Sequence, residues 1–264
     1  VNKLFLVCIC LWCGAISTTS YAMQTATVLV TTENNKQLIA KNANVVRPIA
    51  SITKLMTAMV VLDADLPMDE EISITEDDVD MLRHSSSRLV VGTTLPRNEI
   101  LRLALMSSDN RAAHALARTY PGGVVEFVDR MNSKSKLLGM KNTTFSDPTG
   151  LTHHNKSTAV DLAKMVNAAS KYDVIRDFTT TKHYAVVVGD KPSMFNNTNK
   201  LVKDGKWDIV VSKTGYIKEA GKCLVMKVKT ATHTLTIILL DSKSSKTRIT
   251  DAIKARQIAE SKAI

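Results

Sequence analysis

Three groups of residues in this 264-residue chain are of types that could do chemistry together: Ser51 with Lys54, Ser108 with Asn110, and Lys213 with Thr214 and Gly215. A serine hydroxyl is a poor nucleophile at neutral pH until a neighbouring base takes its proton. Ser51 and Lys54 are three residues apart, which places both side chains on one face of a helix. A lysine desolvated among Ile52, Leu55 and Met56 could be neutral enough to act as that base. A helix N-terminus beneath the pair would also favour the negative charge that develops during attack. In Ser108-Asp-Asn110 a second hydroxyl could relay a proton to a leaving nitrogen while the asparagine amide holds a substrate carbonyl. Lys213-Thr-Gly215 offers a fixed positive charge, a hydroxyl for a substrate carboxylate, and a glycine that lets substrate backbone approach a strand. Taken singly, each group has a plainer explanation: an N-cap beside a solvated lysine, a helix-capping cluster, and a strand running into a turn. Their order and the elements beneath them therefore decide the reading.

Residues 25–41 predict a hairpin, with β-rich Ala26–Thr31, turn chemistry at Glu33-Asn-Asn35, and a return at Gln37–Ala40. Ile52 to Asp65 has no breaker and is apolar on nearly all faces, as a buried helix would be, so Ser51 stands at a helix start. The stretch from about 66 to 145 reads as helical, with helices over 98–106, 110–120 and 124–138, the last stopped by Gly139. Ser107–Asn110 falls at the break between two of these. Thr158-Ala-Val-Asp161 has the form of an acidic capping box and opens a helix through about Ala169. Strands are expected over 182–188, 208–213, 222–229 and 233–240, with Lys213-Thr-Gly215 ending the second. A last helix over 247–261 would offer Ile249, Ala252, Ile253 and Ile258 to a core. Early strands, a helical middle and late strands imply an α/β (α+β) fold in which the two ends of the chain share one antiparallel sheet flanked by helices, with the helical segment inserted as a second lobe.

Residues 1–22 read as an export signal: a short charged start, apolar Leu4–Trp12, and Ser20-Tyr-Ala22 before a cut. The mature chain, 23–264, would then form one catalytic domain in the periplasm, at most peripherally associated with membrane. Cys8, Cys10 and Cys13 lie in that leader, which leaves Cys223 alone in an alternating strand as a small buried hydrophobe. The formal net charge of +10 suits an anionic envelope polymer, and the sparse aromatics and lack of a basic-aromatic motif argue against nucleic acid. No cofactor or metal is expected. There is no H-E-x-x-H, adjacent His153 and His154 cannot readily share one metal, and no Gly-rich phosphate loop is present. Glu76-Asp-Asp-Val-Asp80 reads as an exposed helix start rather than a calcium site.

The order S-x-x-K, S-D-N, K-T-G is shared by penicillin-binding proteins and class A β-lactamases. The chain resembles, from about residue 25 to 255, the low-molecular-mass penicillin-binding proteins of the D-alanyl-D-alanine carboxypeptidase/endopeptidase family, with their β-lactamase/transpeptidase-like fold. The resemblance is to the endopeptidase branch in particular. It extends to Val46–Met59, Leu103–Ala113, Asp147-Pro-Thr-Gly-Leu151, Asn197-Thr-Asn199 and Ala220–Met226. It implies Ser51 as acylated nucleophile, Lys54 as its base, Ser108 with Lys213 in proton transfer to the leaving amine, and Asn110 holding substrate amide. It implies backbone N–H groups of Ser51 and Tyr216 as the oxyanion hole, Lys213, Thr214 and Gly215 as substrate contacts, and Arg248, in a loop-like stretch, near the terminal carboxylate. The implied partners are peptidoglycan stem peptides and cross-links, and β-lactams. No glutamate stands between Glu126 and Glu219, so the glutamate-activated water of a class A β-lactamase is missing and a penicilloyl adduct should leave slowly. The rival readings are a carboxypeptidase that trims terminal D-alanine, a β-lactamase, and a non-catalytic wall-binding protein using the same cleft.

Overall fold

The structure, a computed structural model, describes residues 23–189 and 191–261. The proposed leader lies outside these residues. The chain opens with β1 (Thr27–Thr31), β2 (Gln37–Lys41) and the short β3 (Arg47–Pro48), then a 3₁₀ turn over Ala50–Thr53 that runs into α1 (Lys54–Asp63). It continues through β4 (Glu71–Ser73) and β5 (Thr94–Pro96), which pair, and α2 (Arg97–Met106), α3 (Asn110–Arg118) and α4 (Gly123–Leu137). After β6 (Lys156–Ser157), paired with β3, come α5 (Ala159–Ala169), α6 (Asp173–Thr180) and a hairpin of β7 (His183–Val188) and β8 (Lys191–Asn196). The short α7 (Lys200–Asp204) leads to β9 (Asp208–Ile217), β10 (Gly221–Lys229), β11 (Thr234–Ser242) and α8 (Ser245–Ser261).

One five-stranded antiparallel sheet, in the order β2-β1-β11-β10-β9, joins the two ends of the chain. Its strands alternate with a period of two, and both faces are buried. Leu29, Val225, Ile238 and Leu240 face the core shared with α1 to α6. Val28, Val30, Leu224, Met226, Ile237 and Leu239 face α8. β9 is an edge strand, so one side of its backbone has no partner strand among the described residues.

Several elements differ from the expected ones. β9 continues to Ile217, so Lys213-Thr-Gly215 lies within the edge strand rather than at its end. α8 begins at Ser245 and carries Arg248 in its first turns, not in a loop. It buries Arg248, Asp251, Ala252, Ala255 and Ala259, while Ile253 is exposed and Ile249 and Ile258 are half-buried. Small alanines let this helix lie close to the sheet, and the isoleucines fall on its flanks and back. The Thr158 hydroxyl caps α5 by accepting from Asp161 N–H, but the Asp161 carboxylate turns to Asn142 N–H and Thr143 instead of completing a box.

The complete capping box is Thr75 to Asp78, inside the acidic stretch. Asp78 is buried there rather than exposed, bonded to His114 at 2.8 Å and Arg118 at 2.9 Å on α3. Burial opposes its charge, yet hydrogen bonds from His114, Arg118 and Thr75 N–H hold its carboxyl at about 2. β7 falls where a strand was expected over 182–188, whereas its partner β8 and helix α6, both short, lie beyond what sequence periodicity showed.

Candidate active site

The site begins at the 3₁₀ turn. Ala50 has φ +48°, a left-handed value unusual for a residue with a Cβ, and this kink presents Ser51 at the mouth of a cleft. Two glycines make room for it. A Cβ on Gly150, which has φ +83°, would lie 2.0 Å from Ala50 O, and one on Gly215 would lie 3.0 Å from Ile49 O. The loop Asp147-Pro-Thr-Gly150 and strand β9 therefore press on opposite sides of the nucleophile turn.

Lys54, on the first turn of α1, is 1% exposed. Its Nζ is 2.7 Å from Asn110 Oδ1, 2.7 Å from Thr149 O and 3.1 Å from Ser51 Oγ. A neutral amine has two hydrogens and one lone pair. Donating to Asn110 and Thr149 leaves the lone pair for the Ser51 hydroxyl. Burial pushes the ammonium down to about 8, against the fields of Asp147, Asp109 and Asp80. Each of those carboxylates is already engaged: Asp147 by the N–H groups of Thr149, Gly150 and Thr152, Asp109 by Ala112 N–H and Ser87, Asp80 by the N–H groups of Leu82, Arg83 and Ser85.

Ser108 follows α2 in a left-handed conformation, φ +62°, which breaks the helix and turns its hydroxyl into the cleft. The next residue, Asp109, caps α3. Capping and a candidate chemical role thus coexist in the same triplet, on different residues. The Ser108 Oγ is 2.7 Å from Lys213 Nζ, which also donates to Thr214 O at 3.1 Å. Lys213 is 1% exposed, and burial with the nearby charges of Lys54 and Arg248 pulls it well below the ordinary lysine range. Asn110 keeps its amide group oriented by donating to Ser85 Oγ at 2.8 Å, leaving a second amide hydrogen toward the cleft.

Ser51, Ser108, Thr214, Gly215, Tyr216 and Arg248 line one cavity of about 270 Å³. Thr198, Lys222 and Ser245 complete it: Thr214 Oγ1 donates to Thr198 Oγ1 at 2.6 Å, and Lys222 Nζ sits 3.2 Å above the exposed Tyr216 ring. Arg248 is buried, donates to Cys223 O at 3.1 Å and leaves its Nε without a partner among the described residues. Cys223 itself is fully buried, and burial pushes its thiol up to about 11, so it is an inert core residue.

All nine residues expected from the sequence therefore meet in one cleft. Sequence reasoning missed the roles of Thr149, Gly150, Ser85 and Thr198. Asp147-Pro-Thr-Gly-Leu151 was legible only as part of the family resemblance, and nothing local to it pointed to Lys54.

Two hydroxyl–lysine pairs facing one another across an open sheet edge define an enzyme that transfers acyl groups through serine. The chain belongs to the D-alanyl-D-alanine carboxypeptidase family of serine peptidases, whose model matches residues 16–244. It is a hydrolase of that family, which acts on D-Ala-D-Ala peptides of peptidoglycan and typically binds penicillin. A D-alanyl-D-alanine endopeptidase of Pseudomonas aeruginosa is 43% identical over 241 residues, covering 90% of this chain and 78% of that protein. One of Escherichia coli is 41% identical over 231 residues, covering 87% and 74%. The structure of the Streptomyces K15 DD-transpeptidase superposes with a TM-score of 0.84 at 28% identity, over 91% of this chain and 98% of that one. No helix among the described residues is long and apolar enough to cross a membrane.

Proposed function

We propose that this protein is a D-alanyl-D-alanine endopeptidase that cuts peptide cross-links of peptidoglycan through an acyl-enzyme on Ser51. The observation that carries the chemistry is the buried Lys54 Nζ, 2.7 Å from both Asn110 Oδ1 and Thr149 O and 3.1 Å from Ser51 Oγ: once neutral, it can donate to the first two and turn its lone pair to the Ser51 hydroxyl. Lys54 takes the Ser51 proton as Oγ attacks the carbonyl. The N–H groups of Ser51 and Tyr216 receive the developing oxyanion. The C–N bond then breaks, and the departing amine takes a proton through the Ser108 hydroxyl from the Lys213 side. Asn110 and the open edge of β9 hold the peptide backbone, while Thr214 and Arg248 meet a carboxylate on the leaving side. Water then cleaves the ester.

Choice of the cross-link over terminal D-alanine rests on the endopeptidase relatives. The three carboxylates near Lys54 are all held by N–H groups or hydroxyls, so none is available to activate water against a penicilloyl ester. This supports a penicillin adduct that turns over slowly, unlike that of a β-lactamase. Residues 1–22 are proposed as an export leader, and 23–264 as one periplasmic catalytic domain.

The test incubates the protein and its Ser51→Ala variant with cross-linked muropeptide dimers and with pentapeptide monomers. Loss of dimer without release of D-alanine, absent in the variant, is the expected result. Release of D-alanine alone would replace the endopeptidase reading by a carboxypeptidase one.

A further inference from the structure

Beyond Ser108 the cleft continues into a second cavity of about 300 Å³ that the chemistry above does not use. Its walls are Ser86-Ser-Arg88, the Ser107–Asn110 break, and Phe195-Asn196 of β8. Ser108 lines both cavities. That shared wall has a geometric consequence. An amine departing at the Ser108 hydroxyl, with its carboxylate held toward Thr214 and Arg248, leaves from the wall that the two cavities share, so the rest of its residue can extend into this second cavity.

The cavity has the chemistry of a subsite for an acidic peptide. Arg88 is positioned by donating to Met194 O and by lying 5.7 Å over the ring of Phe195, which is buried. One bond to a carbonyl leaves the rest of a guanidinium's five-donor fork for a ligand. The Ser86 hydroxyl and Asn196 amide are exposed at the same cavity. The one carboxylate on its wall, Asp109, already accepts from Ser87 at 2.6 Å and from Ala112 N–H at 3.0 Å.

We infer that this cavity binds the second stem peptide, the strand that leaves as an amine, and that Arg88 selects for it by meeting one of its carboxylates. The inference rests on the endopeptidase reading. A terminal D-alanine carries no second stem peptide to place there, so Arg88 would distinguish cross-link from terminus without touching the reacting atoms.

Steady-state kinetics on wild type, Arg88→Ala, Arg88→Lys and Asn196→Ala test this with three substrates: a cross-linked muropeptide dimer, the same dimer amidated on its leaving strand, and a pentapeptide monomer. Penicillin acylation rates serve as the measure of an intact site. Arg88→Ala is expected to raise KM for the acidic dimer roughly tenfold with little change in kcat, as loss of one charge-assisted contact should. Arg88→Lys should recover part of that, Asn196→Ala should raise KM less, and the amidated dimer and pentapeptide should change less than twofold. Equal losses on dimer and monomer, or an unchanged dimer KM, would overturn the subsite. Should Arg88→Ala fail to acylate, the Lys and Asn196 variants decide by the same criterion. A wild-type protein that leaves dimers intact but releases D-alanine would instead remove the endopeptidase reading, and the subsite with it.

Discussion

On the helical wall of the cleft, Lys54 has three oxygen partners and lies in the field of three carboxylates. On the strand wall, Lys213 has two oxygen partners, and the charges that act on it are those of Lys54 and Arg248. Burial lowers both, but only Lys54 is supported as a cation. The two ammonium groups also oppose each other, so the cleft favours holding one proton between them rather than two. A site built this way can take a proton on one side of the substrate and return one on the other.

The largest effects should come from breaking the helical wall. Ser51→Ala should abolish the covalent penicillin adduct, read as a mass shift, and Lys54→Ala should slow acylation by about 10³-fold or more. On the strand wall, Lys213→Ala should cost about 10²-fold, with Ser51 still slowly acylated, because the nucleophile and its own base remain. Equal losses at both lysines would dissolve the distinction between the walls.

The pH dependence sharpens it further. A lysine lowered from 10.5 to about 8 has roughly 300-fold more neutral amine at pH 7 than an ordinary one. The acylation rate should therefore climb about tenfold per pH unit below neutrality and level off near pH 8, and a flat profile from pH 6 to 9 would exclude Lys54 as the base. The same shift makes stability rise with pH between about 8 and 10.5, since in that window the unfolded chain binds the proton that folded Lys54 has lost.

Smaller effects test the two glycines that seat the nucleophile turn. Gly150→Ala must place a Cβ 2.0 Å from a backbone oxygen at positive φ and should cost about 3 kcal/mol, whereas Gly215→Ala, at 3.0 Å and without positive φ, should cost about 1 kcal/mol. Thermal unfolding reads the difference. Ser108→Gly and Ser108→Ala both remove the hydroxyl, but the glycine should be the more stable by about 1 kcal/mol because it accepts φ +62° without strain. On the far face of the sheet, Ile253→Ser should change stability by less than about 0.5 kcal/mol, and Ala255→Leu should cost about 1–3 kcal/mol.

That last pair marks where the sequence was misleading. Isoleucines outrank alanines in any hydrophobic reading, so α8 was expected to bury Ile253. Its distance from the sheet, which no local pattern contains, keeps the expected Ala252, leaves Ile249 at the margin and takes Ala255 and Ala259 in place of Ile253. Within the acidic stretch, Glu76 and Asp77 are exposed at a helical start as expected, but Asp78 misled for a similar reason: its burial depends on Arg118 and His114, some 40 residues away. Arg248 was legible as a residue type in the right region, but its place on a helix with its guanidinium against Cys223 O was not.

By itself the sequence pointed to the proposed reacting set, because Ser51, Lys54, Ser108, Asn110, Lys213 and Thr214 are chemically unusual in that order and the first two groups sit at local structural breaks. It also determined the alternation that splits the sheet into two buried faces. Tertiary structure alone decided that Lys213-Thr-Gly215 lies within an edge strand paired on one side, that Thr149 O and Asn110 Oδ1 each lie 2.7 Å from Lys54 Nζ, and that a second cavity opens beside Ser108. These are relations between residues 56 to 105 positions apart. Propensity and periodicity act over a few turns of chain, and only packing brings such distant groups to within 3 Å.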